Sequence, residues 1–387
     1  MLPDWTWVIG LFLGATIGSF LNVVIYRLPR GISLSNPPNS FCPKCRHSLG
    51  PLDLFPLLSW LASGGKCRYC REKVPSRYFW VELLNGTLWA ILWYQFMVVQ
   101  WLPLTAAAYM LVTAALVAVI FIDWELYIIP DELNAVILLF GLGYHGLNGS
   151  IETSLKGALV GWGVIWGIQL MGTLLFRKAA MGDGDIKMMR GVGAVLGPLL
   201  TAASVGMAVV LGLVGGIVGI VVASALAKRQ PQEAEEAPEG DPEPVYLRDQ
   251  LVTGVYYLLC LDVLALFYRP IEEAVVKMLI AQPQSEDVEE DDWKPSMTTI
   301  PFGPYLAAGA ILCMLFGGWV EKGLKAYWEN ATGADRAVQR NTGVARPPAE
   351  GVTLLHVSTN RKISGEPRNI VGASPVSLAG ESRADYA

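Results

Sequence analysis

The sequence predicts an all-α, polytopic membrane protein of about eight transmembrane helices, with one small cytoplasmic loop built on four cysteines. Three observations predict it. Of 387 residues, 53% are hydrophobic and only 16% charged, where a soluble domain would carry about a quarter charged. Mean hydropathy is +0.41. The apolar residues fall in blocks of roughly 20, enough to cross ~30 Å of hydrocarbon at ~1.5 Å per residue. The formal net charge of −5 says little, because charges of opposite sign occupy separate segments, and no nucleic-acid partner is expected.

The first span, within residues 1–26, runs from about Trp7 to Ile25. Asp4 precedes it in place of a basic region, so it reads as a span and not as a cleavable signal peptide. Gly14, Gly18 and Ser19 allow close helix approach, and Asn22 needs a hydrogen-bonding partner. Residues 27–78 form a polar loop with nine Lys and Arg against Asp53 and Glu72. That bias places the loop in the cytoplasm and the N-terminus outside.

Residues 79–227 hold the next spans, expected at about 79–98, 103–122, 133–147 and 155–176, with two more in 188–227 around a turn near 197–205. Counting crossings brings Asp123 and the stretch Gly182-Asp183-Gly184-Asp185-Ile186-Lys187 to the same inner face. Residues 228–300 are an insertion with acidic, proline-rich flanks at 230–244 and 283–295, expected to be poorly ordered. Its centre, Leu251–Phe267, reads either as an amphipathic helix on the membrane surface or as a short extra crossing. A last span is expected within 301–321 and a disordered tail over 322–387. No internal repeat is apparent.

Two constellations carry chemistry. Asp123 ends an apolar run and Asp185 sits between two, where charge is costly and seldom kept without a use. Two carboxylates close together at a low-dielectric boundary hold one proton between them, so one can act as base on a water and the other as acid toward a carbonyl. Gly182 and Gly184 lack Cβ atoms, which lets a substrate backbone approach and the turn adopt positive φ. Lys187 steers local charge or meets lipid headgroups. The plainer readings make Asp185 a helix cap and Asp123 and Asp131 helix-end charges, with Asp183 and Glu125 as spacers. The second constellation is Cys42-Pro-Lys-Cys45 and Cys67-Arg-Tyr-Cys70. Two such pairs about twenty residues apart fit a tetrahedral structural zinc site, with a redox dithiol as the alternative. Neighbouring Lys and Arg are expected to lower the thiol pKa values, and His47 is not needed as a ligand.

With these motifs, and with Gly18–Pro29, Pro56–Leu61, Arg77-Tyr78 to Glu82, Ile129-Pro130-Asp131 and Pro301–Tyr305, the chain resembles the type IV prepilin peptidases (prepilin leader peptidase/N-methyltransferases) of the GxGD aspartyl protease family. The resemblance implies an endopeptidase of the bacterial inner membrane that cuts the basic leader from type IV prepilins or type II secretion pseudopilins at the cytoplasmic face. Asp123 and Asp185 fall on its catalytic positions. It also implies N-methylation of the new N-terminus with S-adenosylmethionine, associated with the cysteine loop. Arg77 and Glu82 match without an assigned role. A transporter with paired intramembrane carboxylates is the leading alternative; a thiol oxidoreductase and a purely structural assembly protein are others. The expected partners are the lipid bilayer and the prepilin or pseudopilin substrates, and the sequence carries no expectation about oligomeric state.

Overall fold

The computed structural model describes residues 2–36, 39–42, 44–176, 181–227, 247–268 and 301–332. The flanks of the insertion and residues 333–387 of the expected tail lie outside the described residues. Those described are helical apart from connecting loops, the longest of them within 31–57, and two isolated β-bridges. The helices are α1 (Trp7–Arg27), α2 (Leu58–Ala62), α3 (Arg77–Trp93), α4 (Pro103–Leu126), α5 (Asp131–Leu147), α6 (Ile151–Phe176), α7 (Asp183–Ala227), α8 (Leu247–Leu258), α9 (Leu261–Phe267) and α10 (Gly303–Thr332). Among the described residues, five helices are long and apolar enough to cross a membrane, or six if α8 and α9 count as one broken span.

The expected count of about eight spans is therefore not confirmed by length and composition among the described residues, for local reasons. α3 and α5 have 17 residues each, about 26 Å of helix. α3 gains length by continuing into a π-helical turn, Tyr94–Val99. The run from 188 to 227 is two helices that meet at a kink, within the expected turn near 197–205. The break is at Gly197, which has φ +75° and is followed by Pro198. The 17-residue run in the insertion also divides, at Cys260 (φ +55°), into α8 and α9 bent by 70°. Neither half is long enough to cross alone. α10 continues to Thr332, well past the expected end of the last span.

Two tight helix pairs organise the bundle. α1 packs against α3. The Gly14 carbonyl accepts a 2.7 Å bond from Asn85 Nδ2, and a Cβ on Gly18 would lie 2.8 Å from Glu82 Cα. Asn22 finds its partner in the Tyr78 carbonyl, at 3.2 Å. α6 packs most extensively on α7. A Cβ on Gly157 or Gly193 would run into the other residue's carbonyl oxygen, and Ser154 donates to the Ala194 carbonyl at 2.8 Å. In a bilayer, where lipid tails are as apolar as leucine, close backbone approach and interhelical hydrogen bonds hold helices together. α4 and α5 fill the middle; Leu116, Val117 and Ile122 of α4 are fully buried.

Candidate active site

α4 ends in a left-handed cap, with Tyr127 at φ +58° and its N–H donating to the Asp123 carbonyl at 3.0 Å. Asp123 therefore sits in the last turn of α4. The chain passes through Ile128 and Ile129 to Pro130, whose extended backbone (ψ 137°) starts α5 at Asp131. α7 begins at Asp183, and the Asp185 N–H donates to the Gly182 carbonyl at 3.1 Å. Asp183 and Asp185 thus occupy the first turn of α7, where the helix dipole favours negative charge.

These elements bring the two aspartates together. Asp123 is 6% exposed and Asp185 8%, and the charge on Asp123 acts directly on Asp185. Ile129 lies between their supports. A Cβ on Gly184 would sit 2.9 Å from Ile129 Cβ, and one on Gly303 would sit 3.0 Å from Ile129 Cδ1. The same Gly303 Cβ would strike the Asp123 carboxylate, and the Gly303 amide faces that carboxylate. Among the described residues, Oδ1 of Asp185 has no hydrogen-bond partner.

The glycines do not adopt the positive φ that the sequence suggested. Neither Gly182 nor Gly184 is among the residues with positive φ. Gly184 is helical, and its missing Cβ makes room for Ile129. Gly182 has space for a methyl group, with Asp185 Oδ2 3.6 Å from a Cβ there. Gly303 went unselected as a site residue; its only signal was the run Pro301-Phe302-Gly303-Pro304.

Lys187 is not turned toward lipid headgroups. Its Nζ donates to Asp131 Oδ1 and Oδ2 at 2.8 and 2.9 Å and lies 4.8 Å from the Tyr257 ring centroid. The two expected spacers also have partners. Asp183 Oδ1 accepts from Gln169 Nε2 at 3.0 Å, and Oδ2 from the Tyr257 hydroxyl at 3.1 Å. Glu125 pairs with Arg77 Nη1 at 2.5 and 2.7 Å, tying the start of α3 to the turn beyond Asp123. Glu82, buried beside Ser19, accepts the Leu57 N–H at 2.7 Å, which anchors the polar loop to α3.

The loop brings Cys42, Cys45, Cys67 and Cys70 together, with all four Sγ atoms within 4.8 Å of one another. Cys42 Sγ lies 3.8 Å from Cys70 Sγ, close to the separation that Zn–S bonds of ~2.3 Å give in a tetrahedron. The two pairs sit on matching turns. Arg46 and Arg71 both have positive φ and donate their N–H to the Cys42 and Cys67 carbonyls; Cys42 and Cys67 donate theirs to His47 and Glu72. The bridge Phe41–Ser48 repeats as Lys66–Lys73. A structural repeat with a 25-residue offset is thus present where none was read from sequence; its one sequence trace is the shared Cys-x-x-Cys-Arg. His47 packs its ring on Tyr69, with centroids 3.6 Å apart, and is not one of the clustered ligands. The Cys42 thiol is lowered to about 7, chiefly by the Cys45 backbone amide and not by flanking Lys or Arg. For Cys70 the Glu72 amide pulls down, but desolvation and the neighbouring thiols outweigh it and push the thiol to about 12.

Residues 12–96 match the bacterial peptidase A24 N-terminal domain, and residues 110–220 match the type IV leader peptidase family. The chain is 33% identical over 326 residues to a prepilin leader peptidase/N-methyltransferase of Myxococcus xanthus, covering 81% of this chain and 91% of that protein. Proteins of the same name from Aeromonas hydrophila and Neisseria gonorrhoeae are 36% and 32% identical, over 51% and 52% of this chain and 77% and 78% of theirs. No solved structure matches.

Proposed function

Since the chain belongs to the type IV leader peptidase family, we propose that it cleaves the leader from prepilins or type II secretion pseudopilins as a membrane aspartyl endopeptidase, and then methylates the new N-terminus. The observation that carries the reading is the placement of Asp123 and Asp185, both buried, with Asp185 in the field of Asp123 and Ile129 packed beside them. As a dyad holding one proton, the unprotonated carboxylate takes a proton from water as the oxygen attacks the scissile carbonyl, and the protonated one gives its proton to the carbonyl oxygen. Collapse of the tetrahedral intermediate breaks the C–N bond, and the proton taken from water passes to the departing amine. The titration belongs to the pair and not to either residue. A transporter is not supported, because the relatives are named peptidases.

The reading places cleavage at the cytoplasmic face of the bacterial inner membrane, with the N-terminus outside, on the positive charge of the loop 27–78. The four thiols suit zinc by number and spacing. Cys42, Cys45, Cys67 and Cys70 would hold a zinc ion in a structural role that closes the loop. S-adenosylmethionine would supply an electrophilic methyl group, and the cleft of about 520 Å³ between α1 and the cysteine loop would hold it. Tyr26, Phe41, Trp60 and Tyr78 line it with apolar ring surface, and Asn22 and Glu82 add polar groups, the mixture that a nucleoside-sized ligand needs.

The test is incubation of membranes containing the protein with a candidate prepilin, with and without methyl donor, followed by mass measurement of the product N-terminus. Loss of the leader in both samples, and one added methyl group only with donor, is expected. An intact substrate across a panel of prepilins and pseudopilins would contradict the reading.

A further inference from the structure

The α8–α9 hairpin comes from the insertion and lies outside the residues matched by either family model. It is nevertheless bonded closely to α7, which carries Asp185, and to its neighbour α6. Trp162 and Trp166 of α6, stacked with centroids 5.0 Å apart, donate to the Gly254 and Gln250 carbonyls at 3.1 and 3.2 Å. From α7, Arg190 grips both carboxylate oxygens of Asp262 at 2.9 and 2.7 Å and also donates to the Tyr257 carbonyl. Both members of that ion pair are buried, at 2% and 5% exposure. Removing one partner of such a pair leaves an uncompensated charge, so the hairpin is firmly seated.

These contacts fix where Tyr257 stands, and its side chain reaches the stretch before Asp185. Its hydroxyl donates to Asp183 Oδ2, while Gln169 Nε2 holds Asp183 Oδ1 and also the Met181 carbonyl, at 3.2 Å. Its ring lies against Lys187 Nζ, which in turn holds Asp131. The residues on either side of Asp185 in the first turn of α7 are therefore both touched by one tyrosine of the insertion.

We propose that Tyr257 is a positioning residue for Asp185: by holding Asp183 and seating Lys187, it sets the first turn of α7 so that the Asp185 carboxylate faces Asp123. The proposal rests on the peptidase reading above. A catalytic group displaced by about 1 Å can cost as much as a hundredfold in rate, so a bond two residues away has leverage on turnover while adding little to substrate binding. Gln169 shares the hold on Asp183, so the loss of the tyrosine bond alone is smaller, roughly tenfold.

The test is steady-state leader cleavage by the full-length protein carrying Tyr257→Phe, Asp183→Ala, or both. Tyr257→Phe keeps the ring against Lys187 and removes only the hydroxyl. A drop of about tenfold in kcat with KM within twofold is expected. If Tyr257 acts through Asp183, the double variant loses no more than the worse single variant, whereas independent effects multiply. Methylation of a peptide that already has the mature N-terminus serves as a second readout. A general loss of structure lowers it together with cleavage, and the proposal expects it unchanged in Tyr257→Phe. Wild-type cleavage by Tyr257→Phe, multiplicative losses in the double variant, or parallel loss of methylation would each overturn the positioning role while leaving the peptidase reading intact. A wild-type protein that cuts no prepilin would overturn the peptidase reading itself.

Discussion

Lys187 on α7 and Asp131 on α5 are joined twice, through both carboxylate oxygens at 2.8 and 2.9 Å. Asp131 follows directly on Ile129-Pro130, and Lys187 lies two residues past Asp185. The pair therefore clamps the helix that carries one aspartate to the turn that leaves the other. The Asp131 side chain is 41% exposed and that of Lys187 12%, so the pair adds no more than about 1 kcal/mol to stability. Its effect is on geometry. Lys187→Met is expected to lower the kcat of leader cleavage about tenfold, with KM and thermal unfolding nearly unchanged. Steady-state kinetics beside a melting curve checks this.

Glycine substitutions separate close packing from loop freedom. A Cβ at 303 would collide with the Asp123 carboxylate, and one at 184 would come within 2.9 Å of Ile129. Gly303→Ala and Gly184→Ala are each expected to lose at least tenfold in cleavage rate. Gly182→Ala is expected to lose far less, because a methyl group there meets only Asp185 Oδ2 at 3.6 Å. Cleavage rates of the three purified variants decide it, and equal losses at 182 and 184 would contradict the packing explanation.

Glu82 anchors the cysteine loop through the Leu57 N–H, with Leu57 itself at φ +62°. Glu82→Ala leaves that amide without its acceptor, at a cost of about 1–3 kcal/mol. Since Glu82 also lines the cleft beside the loop, methylation is expected to fall more steeply than leader cleavage. Separate rates for the two steps, with limited proteolysis to report loosening of the loop, check the prediction.

Metal removal tests the cysteine cluster. One zinc per chain is expected from elemental analysis, and Cys45→Ser or Cys70→Ser is expected to abolish it. Binding needs thiolates, and Cys70 held up at about 12 must give up its proton. Zinc affinity should therefore fall as pH falls, with protons released on loading. Chelation at mildly acidic pH is expected to strip the metal and expose the loop to protease. A zinc-free protein whose loop is equally protected would contradict a structural metal.

Much of the candidate site was legible in sequence because charge in an apolar run stands out. Asp123, Asp185 and the paired cysteines are visible without coordinates, and the structure brings each set together. The partners were not legible. Asp183 and Glu125 looked like spacers because Tyr257 and Arg77 lie far away in the chain, and no periodicity links residues that meet only after helices pack. The partner of Lys187, Asp131, was hidden for the same reason. The count of about eight spans is not confirmed among the described residues, where a helix breaks without polar punctuation. Cys260 interrupts a run whose hydropathy is continuous, and hydropathy does not register a left-handed residue inside an apolar block, whereas the break at Gly197 falls where the glycine-rich run 188–227 had its expected turn. The 25-residue repeat of the cysteine loop lies in its backbone bonds, and only Cys-x-x-Cys-Arg records it in residue type.

The central claim is that Asp123 and Asp185 act as one catalytic pair. The most direct measurement is the mass of a prepilin after incubation with purified Asp123→Asn and with purified Asp185→Asn, each shown to be inserted and to melt like the wild type. The expected result is full-length substrate with both variants and leader-free product with the wild type. Measurable leader-free product from either variant would contradict the pair.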